Sequence, residues 1–472
     1  MNIDQHSRIK KSLEAIVGED FVSDNEEELF FYSSDPSSEP PCKPEFVVMP
    51  KTAKEIQKIV KLANIERVPI TPRAGGMTVA GLAIPCGEDI LLDLKRMNRI
   101  IEVNEKSMYA VVECGVTIGQ FKTYLEENYL DLEYSIPAAP PSVSVVANTL
   151  VWGTGILLLK YGPNSDMING LEVVLPTGGI LKTGSCALAS SWFSKYCIPN
   201  LSGLFIGWFG STGIVTKCSI QLWPKPKIRS ILRMSIDDPD DVPELILKLA
   251  RQEVAEKISV GSWTDNPERF NLKKKPKGIP ELFMFIYVSG NSQDECDIKQ
   301  NAIETTVKEE QKNGRNITLY KLTDNETDAV LSERPAPELP MDSYRRGGGY
   351  EYLGAHIPIK QFGLAYKEGA RIAKKHGFQF IQGLMVIRPG HSGIFTFVFP
   401  FNRTDQDEVR RLRLARIDLC KLTLRLGGTP WKPTPSEQKI VLQRADPSFV
   451  KLMKRIKSVL DPNRVMSPNK WV

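Results

Sequence analysis

The residues most able to do chemistry in this chain begin with a glycine pair in "ITPRAGGMTVAG", at residues 70–81. Glycine adopts positive φ and lets backbone approach a ligand closely, and successive N–H groups in such a turn form a nest for an anion. The groups predicted to hold a phosphate are those of Ala74, Gly75, Gly76, Met77 and Thr78. An ordinary tight turn is the alternative, because the spacing matches neither the P-loop nor the G-x-G-x-x-G fingerprint.

Two further segments are rich in glycine and small residues. They read "SVSVVANTLVWGTGILLLKYG" at residues 142–162 and "GLFIGWFGSTGIVT" at residues 203–216. Small residues of this kind suit an extended backbone that lies along a flat ligand. Three such segments in one chain favour a bound ligand over an isolated turn.

A second group of candidates comes late in the chain, where basic, aromatic and imidazole side chains recur. Arginine and lysine bind carboxylates or phosphates, tyrosine donates hydrogen bonds, and histidine accepts a proton near neutral pH. The predicted catalytic set is Arg346, Tyr350, Tyr352, His356, Arg388, His391 and Lys432. Trp152 and Trp431 are expected to line an apolar substrate site. Solvated surface and ordinary packing are the alternatives for these residues.

Metal and iron–sulfur sites are not expected in this chain. Its eight cysteines form no C-x-x-C pair and no cluster with ligand spacing, so we interpret them as reduced structural thiols. A lone histidine beside a turn, such as His391, is more often structural than a ligand.

Composition excludes several other classes of protein. The net charge of +5 is spread along the chain, which argues against nucleic-acid binding. No apolar run approaches the roughly 18 residues of a membrane span, and the N-terminus lacks the apolar core of a signal peptide. The sequence therefore predicts a cytoplasmic protein without a transmembrane segment.

The predicted strands and helices that position these residues follow two different patterns along the chain. At 472 residues, two or more domains are expected. The first part alternates strands and helices, with capping-box spacing at Thr52 and Thr117 and a hairpin in "LEVVLPTGGILKTG". From about Arg229, two rounds of strand, helix and strand predict an antiparallel sheet with helices on one face. A last helix is expected after Asp446, with one buried stripe. That stripe comprises Phe449, Leu452, Met453, Ile456 and Leu460.

The order of these segments resembles the vanillyl-alcohol-oxidase/p-cresol-methylhydroxylase (PCMH) family of FAD flavoproteins, near its glycolate oxidase D subunit, D-lactate dehydrogenase and 4-phenol oxidase branches. The matching pieces are "TPRAGGMTVAG", "YGPNSDMINGLEVVLPTGGILKTG", "LSGLFIGWFGSTGIVTKCSIQLWPKP" and "LDPNRVMSPNKW". The resemblance implies an α+β fold with a two-part PCMH-type FAD-binding domain in residues 1–226. It also implies a substrate or cap domain in residues 227–428, with an antiparallel sheet covered by helices, and a C-terminal segment, 429–472, that returns to the FAD domain.

The resemblance also implies the cofactor and its site. The residues expected to bind FAD are Pro72, Arg73, Ala74, Gly75, Gly76, Met77, Thr78, Ser142, Val143, Ser144, Asn148, Thr149, Gly153, Gly155, Tyr161, Gly210, Ile214 and Asn469. Relatives with a covalent flavin held from the first glycine loop carry a histidine where this chain has Met77. We therefore expect non-covalent FAD. Attachment from the second domain, through Tyr350, His356 or His391, is the alternative.

The chain departs from the active-site motifs of two branches of the family. The hydroxy-acid dehydrogenases carry H-x-G-D-G-N-x-H, of which only His391 and Gly393 remain. The para-phenol oxidases carry G-N-T-L-D-R-G-V-G, where Val151 here replaces the acid. The expected function is an FAD-dependent dehydrogenase that oxidises an alcohol or 2-hydroxy acid with an apolar or aromatic body.

Hydride would go to FAD, and the electrons would leave to a separate chain such as an electron-transfer flavoprotein or an iron–sulfur protein. An oxidase that uses O₂ and an FAD electron-transfer subunit of a larger complex are the alternatives. Whether the chain forms a homo-oligomer remains open.

Overall fold

The computed structural model of the chain describes residues 2–196, 198–262, 280–332 and 347–471. The first lobe carries two sheets and a two-stranded pair. Its helices are α1 (Ile3–Val17), α2 (Glu26–Tyr32), α3 (Ala53–Glu66), α4 (Ile118–Asn128), α5 (Val145–Leu150) and α6 (Leu158–Tyr161). Its strands are β1 (Val22–Ser23), β2 (Phe46–Val48), β3 (Ile70–Arg73), β4 (Ile90–Asp93), β5 (Ile100–Asn104), β6 (Tyr109–Glu113), β7 (Leu132–Glu133), β8 (Ile168–Val174), β9 (Ile180–Lys182), β10 (Ile214–Gln221) and β11 (Trp223–Pro224).

The two sheets of the first lobe follow the predicted elements closely. The four-stranded sheet has the order β1-β2-β4-β3, and β3 and β2 run parallel to β4. The five-stranded antiparallel sheet has the order β5-β6-β10-β8-β9, and β8 with β9 is the predicted hairpin. Helix α3 begins after Thr52, whose hydroxyl accepts a hydrogen bond from the Glu55 amide at 3.2 Å. Thr117 caps α4 in the same way, through the Gln120 amide at 3.1 Å.

The second lobe is built on one large sheet. Its helices are α7 (Val242–Arg251), α8 (Gln293–Lys312), α9 (Asp324–Ser332), α10 (Phe362–Lys375) and α11 (Gln406–Arg425), followed by α12 (Pro435–Arg444) and α13 (Pro447–Leu460). Its strands are β12 (Ile228–Ile236), β13 (Lys257–Ser262), β14 (Leu282–Gly290), β15 (Ile317–Lys321), β16 (Gly348–Pro358), β17 (Ile381–Ile387), β18 (Ser392–Asn402) and β19 (Thr429–Trp431).

These strands form an eight-stranded sheet in the order β15-β12-β14-β13-β17-β18-β16-β19, and paired neighbours are antiparallel. Leu232 of β12 shares one buried cluster with residues of α7, α8, α10 and α11. Its neighbour Ile231 points to the other face, where it packs with Leu322 and Val330 beside and within α9. The antiparallel sheet covered by helices is therefore confirmed, and α9 adds a small layer on the opposite face.

The C-terminal residues return to the first lobe. The Ile70 amide donates to the Val465 carbonyl at 2.6 Å, and the Ser467 amide donates to the Ile70 carbonyl at 2.9 Å. These bonds extend β3 on its free side, immediately before the glycine loop. None of the helices in the described ranges is both long and apolar enough to span a bilayer.

The prediction of one buried stripe on the last helix is wrong. Phe449 and Leu452 on α13 are 56% and 55% exposed, whereas Met453 and Lys457 are buried. The Lys457 amine donates to the carbonyls of Ser211 and Met466, both at 2.7 Å, and it pairs with Asp461 at 2.6 Å. These bonds hold Lys457 on the same buried face as Met453. Ile456 and Leu460 are half-buried, so only part of the predicted stripe faces the protein.

Candidate functional site

A cleft opens in the first lobe beside the glycine loop that follows β3. Its walls come from that loop, from the start of α5, from the segment before β10 and from the residue that follows β19. Most of the lining is apolar, with a few polar groups. That is the usual make-up of a small-molecule or cofactor site.

The glycine loop has the backbone geometry of an anion nest. Gly76 has φ +67°, and a Cβ at this position would lie 2.5 Å from Nε of Arg73. Arg73 bends beneath the loop, where it donates to the Tyr32 carbonyl at 3.1 Å and packs over the Tyr32 ring. Within the described part of the chain, the amides of residues 74–78 donate to no protein acceptor. They are therefore free to bind an anion from the cleft.

Two buried polar atoms in the cleft wall also lack a hydrogen-bond partner among the described residues. They are Oγ1 of Thr78 and Oδ1 of Asn148. Gly153 makes room for the second of these, because a Cβ there would lie 1.8 Å from the Asn148 oxygen. A buried unpartnered polar atom costs roughly 1–3 kcal/mol, so such atoms are expected to bind a ligand. The nest, the Thr78 hydroxyl and the apolar walls fit a dinucleotide such as FAD.

The cleft brings together most of the predicted cofactor residues. Those that line it are Pro72, Arg73, Ala74, Gly75, Gly76, Met77, Thr78, Val143, Ser144, Asn148, Gly210 and Ile214. Ser144 also caps α5, since its hydroxyl accepts from the Ala147 amide at 3.0 Å. The three glycine-rich segments that the sequence motifs indicated therefore lie around one cleft.

Six predicted cofactor residues lie outside the cleft walls. Ser142 and Gly153 support wall residues from behind, through Gly75 and Asn148 respectively. Gly155 faces the Ser135 backbone. The remaining three have structural or exposed positions: Thr149 donates to the Val145 carbonyl at 2.8 Å, Tyr161 stacks on Trp223 at 3.6 Å, and Asn469 is exposed.

Sequence reasoning missed the apolar part of the lining. The missed residues are Leu82, Ala83, Leu94, Cys114, Val146, Ala147, Leu150, Val151, Phe205, Phe209, Gly213 and Val215. Most of them adjoin predicted residues on the same three segments. The available signal was that these residues lie next to a glycine motif in the sequence. Apolar residues, however, carry no chemistry that distinguishes the lining of a cleft from the hydrophobic core.

Among the predicted catalytic residues, Lys432 lies in the cleft wall. It is 8% exposed, and its amine donates to the Tyr352 hydroxyl at 3.2 Å. The amine also lies over the Trp431 ring, 4.1 Å from its centroid. Burial lowers the pKa of Lys432 from 10.5 to about 7. The cleft therefore contains an amine that loses its proton near neutral pH.

The backbone around the cleft is unusual at three bulky residues. Trp152, Phe209 and Lys432 have φ of +61°, +53° and +56°, in the left-handed region that favours glycine. Such conformations cost roughly 1–3 kcal/mol each and persist only where the surroundings enforce them. The Trp431 indole donates to the Trp152 carbonyl at 2.9 Å, so the two predicted aromatic residues are joined.

The remaining catalytic candidates lie elsewhere. His356 contacts Ser392 at 3.0 Å, and Ser392 contacts His391 at 3.4 Å, at the end of the β16–β18 pair and outside the cleft walls. Arg388 is exposed. Tyr350 is half-buried on β16, two residues from Tyr352. Arg346 lies outside the described residues. Their catalytic roles stay predictions.

Metal donors are not grouped in the described ranges. No three histidine, cysteine, aspartate or glutamate side chains there come close enough to hold an ion. The seven cysteines that the structure describes are free thiols, and Cys197 lies outside the described residues.

Comparison with known proteins gives two family matches, one early and one late in the chain. A family model described as an FAD binding domain matches residues 44–184, and one described as the C-terminal domain of FAD linked oxidases matches residues 342–471. The flavoprotein subunit of 4-cresol dehydrogenase [hydroxylating] from Pseudomonas putida is 26% identical, over 99% of this chain and 95% of its own. Glycolate oxidase subunit GlcD from Bacillus subtilis is 26% identical over 98% and 96%. The crystal structure of p-cresol methylhydroxylase with substrate bound superposes with a TM-score of 0.87 at 22% identity, covering 100% and 97%.

Proposed function

Because this chain belongs to the vanillyl-alcohol-oxidase/p-cresol-methylhydroxylase family of FAD flavoproteins and is an FAD-dependent oxidoreductase, we propose that it dehydrogenates an alcohol with an apolar or aromatic body. The observation that carries this proposal is the position of Lys432 in the wall of the FAD cleft, beside Tyr352 and Trp431. Bound FAD supplies a two-electron acceptor for hydride.

The residues that would hold FAD follow from the cleft. Residues 74–78 line the cleft and their amides donate to no acceptor among the described residues, so these amides would bind the pyrophosphate. Thr78 would offer its unpartnered hydroxyl oxygen to the cofactor, whereas the Asn148 oxygen faces Gly153 behind the wall. The apolar side chains of the α5 segment and of the segment before β10 would exclude water from the ring system.

The mostly apolar lining of the cleft supports an apolar substrate over a charged one. Trp152, Trp431 and Tyr352 lie outside the cleft walls, but two of them contact Lys432. Trp431 and Tyr352 lie 5.7 Å apart between ring centroids and flank the amine. Arg388, a predicted carboxylate ligand, and His391, a predicted base, are exposed and outside the cleft walls, and among the predicted carboxylate ligands that the structure describes only Lys432 lines the cleft. An uncharged alcohol therefore fits this end of the cleft better than a 2-hydroxy acid.

The electron acceptor is proposed to be a separate protein. The flavoprotein subunit of 4-cresol dehydrogenase is by its name one part of a larger enzyme. The predicted lack of an iron–sulfur cluster in this chain also points to a carrier on another chain. An oxidase that passes electrons to O₂ is distinguished by peroxide production.

The first test is an anaerobic flavin-bleaching screen on the purified holoenzyme. The panel contains para-hydroxybenzylic alcohols, simple aryl and alkyl alcohols, and 2-hydroxy acids. We expect rapid bleaching by an aromatic alcohol and slow or no bleaching by the hydroxy acids. Preferential bleaching by a hydroxy acid would overturn the substrate class. A flavin that dithionite reduces but no panel member bleaches would favour an electron-transfer subunit.

The mode of FAD binding is tested separately. Met77 occupies the position of the covalent histidine, so we propose non-covalent FAD, and acid precipitation should release all of the flavin into the supernatant. Gly76→Ala should lower FAD affinity by about tenfold or more, because a Cβ at φ +67° would press on the Arg73 side chain. Gly203→Ala is the matched control, since a Cβ there meets nothing within 4 Å. Flavin that stays with the precipitated protein would indicate covalent attachment.

A further inference from the structure

We propose that Lys432 is the proton acceptor of the oxidation, and that its Nζ takes the hydroxyl proton of an uncharged substrate as hydride leaves the substrate carbon. This role rests on the proposed function, because it places the reacting hydroxyl at the same end of the cleft. It assigns Lys432 a role different from the anion binding for which arginine and lysine are usually selected.

The contacts of the amine leave it able to accept a proton. Its one hydrogen bond among the described residues is the donation to the Tyr352 hydroxyl at 3.2 Å. Within the same ranges it forms no ion pair, so no carboxylate holds it in the charged form. An amine that donates one N–H to Tyr352 keeps its lone pair for a group in the cleft.

The charged and titratable neighbours do not change this conclusion. Arg73 and Cys114 line the same cleft, but Arg73 donates to the Tyr32 carbonyl beneath the glycine loop. Burial raises the pKa of the Cys114 thiol to about 12.

On β16, the pKa of Tyr352 is raised by burial and further by Tyr350 and Asp35, so Tyr352 stays a hydroxyl. On α12, Glu437 is paired with Arg416. The pKa of Lys432 is lowered to about 7 by burial, so much of the amine is neutral at pH 7.5.

The local fold holds the amine in place. Lys432 follows directly after β19, in which Trp431 pairs with Gly354 of β16. A Cβ at Gly354 would lie 2.5 Å from Cε3 of Trp431, so the glycine lets the indole lie flat against the strand. Two residues later, Thr434 caps α12 in a complete capping box with Glu437. Lys432 is thus fixed from both sides in its left-handed backbone conformation, and the Trp431 face is placed to stabilise the ammonium once it forms.

The step balances without a further reagent. The substrate O–H bond breaks as an N–H bond forms on Nζ, and the carbinol or benzylic C–H bond breaks with its electron pair leaving as hydride. The substrate is oxidised by two electrons, and the two electrons go to the FAD of the proposed function. Nζ returns its proton to solvent before the next turnover.

The test compares flavin reduction in the wild-type holoenzyme with that of Lys432→Arg and Lys432→Ala. Arginine keeps a positive charge but cannot accept a proton at these pH values. At pH 8 we expect both variants to lose about 100-fold or more in the rate of reduction. The wild-type rate should rise with pH through about 7, and this limb should be absent from both variants. Lys439→Ala on α12, an exposed lysine, is the matched control.

Chemical rescue separates a base from a positioning group. Ethylamine added to Lys432→Ala should raise the rate by about tenfold or more, with a dependence on the free-base form of the amine. A Lys432→Arg variant that keeps the wild-type rate would show that the charge matters and would overturn the proposal, as would a failure of ethylamine to rescue. A comparison of 4-hydroxybenzyl alcohol with 4-methoxybenzyl alcohol shows whether Nζ accepts the phenolic or the carbinol proton. The second compound has only the carbinol hydroxyl.

A measurement that needs no catalytic turnover can test the role of Lys432 separately from the proposed function. Trace labelling of the holoenzyme with acetic anhydride, followed by peptide mass analysis, measures the reactivity of each lysine against pH. Labelling of Lys432 should rise through pH 7, and the exposed Lys439 serves as the reference for labelling in the same samples. If Lys432 stays unlabelled or rises only near pH 10, the proposal fails, since a base must be neutral and reachable from the cleft. If no alcohol bleaches the flavin, the proposed function fails instead.

Discussion

The C-terminal region and the end of β19 each bury lysines, and the two treat them differently. In the C-terminal region, residues 457–470, Lys457 bonds to two carbonyls and to Asp461, and Lys470 donates to the Gly81 carbonyl at 3.1 Å behind the glycine loop. Beside β19, Lys432 bonds only to the Tyr352 hydroxyl among the described residues. Burial lowers the pKa in each case, to about 8 for Lys470 and about 7 for Lys432.

The difference shows that a lowered lysine pKa does not by itself mark a reactive group. Lys457 donates to three acceptors and Lys470 donates to one backbone carbonyl, and both tie the C-terminal segment to the first lobe. The carboxylates of Asp35 and Glu39 also raise the pKa of Lys470 against the effect of burial. Lys432 has no such acceptors and faces the cleft, so its amine is available to a ligand. Partners and access, rather than burial, separate an anchor from a base.

The largest expected effect comes from the support beneath Lys432. Arg416 on α11 bonds to Glu437 at 2.8 and 3.1 Å and also pairs with Glu351 on β16, and all three side chains are at most 4% exposed. Arg416→Met would leave two buried carboxylates without a cation. We expect the free energy of unfolding to fall by about 3–5 kcal/mol, as measured by urea denaturation at pH 7.5.

Arg410→Met is the matched control for this change. Arg410 lies on the same helix, but its pair with Asp407 is exposed on both sides. It should shift the free energy of unfolding by at most about 0.5 kcal/mol. If Arg416→Met behaves like this control, the buried cluster does not hold the Lys432 segment.

The anchor lysine Lys470 should have the next largest effect. Lys470→Met leaves the Gly81 carbonyl unpartnered and removes the cation beside Asp35 and Glu39, so we expect a loss of about 2 kcal/mol and weaker FAD binding. Between pH 8 and 10.5 the unfolded chain holds the Lys470 proton and the folded chain does not. The wild type therefore gains stability with rising pH in this window, and the deficit of the variant should grow between pH 8 and 10.

For Lys432→Met, the difference in free energy of unfolding from the wild type should have the opposite sign to that for Lys470→Met. Below pH 7 the folded protein holds a buried ammonium without a counter-ion, so Lys432→Met should equal or exceed the wild type by about 1–2 kcal/mol at pH 6.5. From pH 7 to 10.5 the wild type gains at most about 1.4 kcal/mol per pH unit, so the advantage disappears. A Lys432→Met variant that is strongly destabilised at pH 6.5 would make Lys432 an anchor like Lys470.

Much of the fold was predictable because it is written in local patterns. The capping residues Thr52 and Thr117, the β8–β9 hairpin and the strand–helix rounds of the second lobe each depend on a few neighbouring residues. The cofactor cleft was also predictable, since glycines such as Gly76 mark backbone that only glycine adopts with ease. The likeness of whole segments to a known family then supplied the order of the parts.

The rest depends on contacts between distant residues. Lys432 lines the same cleft as the glycine loop only because β19 forms the edge strand of an eight-stranded sheet. No local sequence pattern predicts which strand lies at that edge. His356 and His391 have suitable chemistry in the sequence, yet β16 and β18 place them together outside the cleft walls. The stripe on α13 failed for a similar reason, because the acceptors that draw Lys457 inward lie at residues 211, 461 and 466.

The smallest expected effect tests which side chains of α13 are buried. Leu452→Ser and Phe449→Ser should change the free energy of unfolding by at most about 0.5 kcal/mol, because both side chains are more than half exposed. Met453→Ser, one residue along and 8% exposed, should cost about 2 kcal/mol or more in the same denaturation experiment. If Leu452→Ser is the more damaging change, Leu452 rather than Met453 packs against the protein. Lys457, one turn after Met453, would then face solvent with it. The contrast between the anchored lysines and Lys432 would lose one of its two anchors.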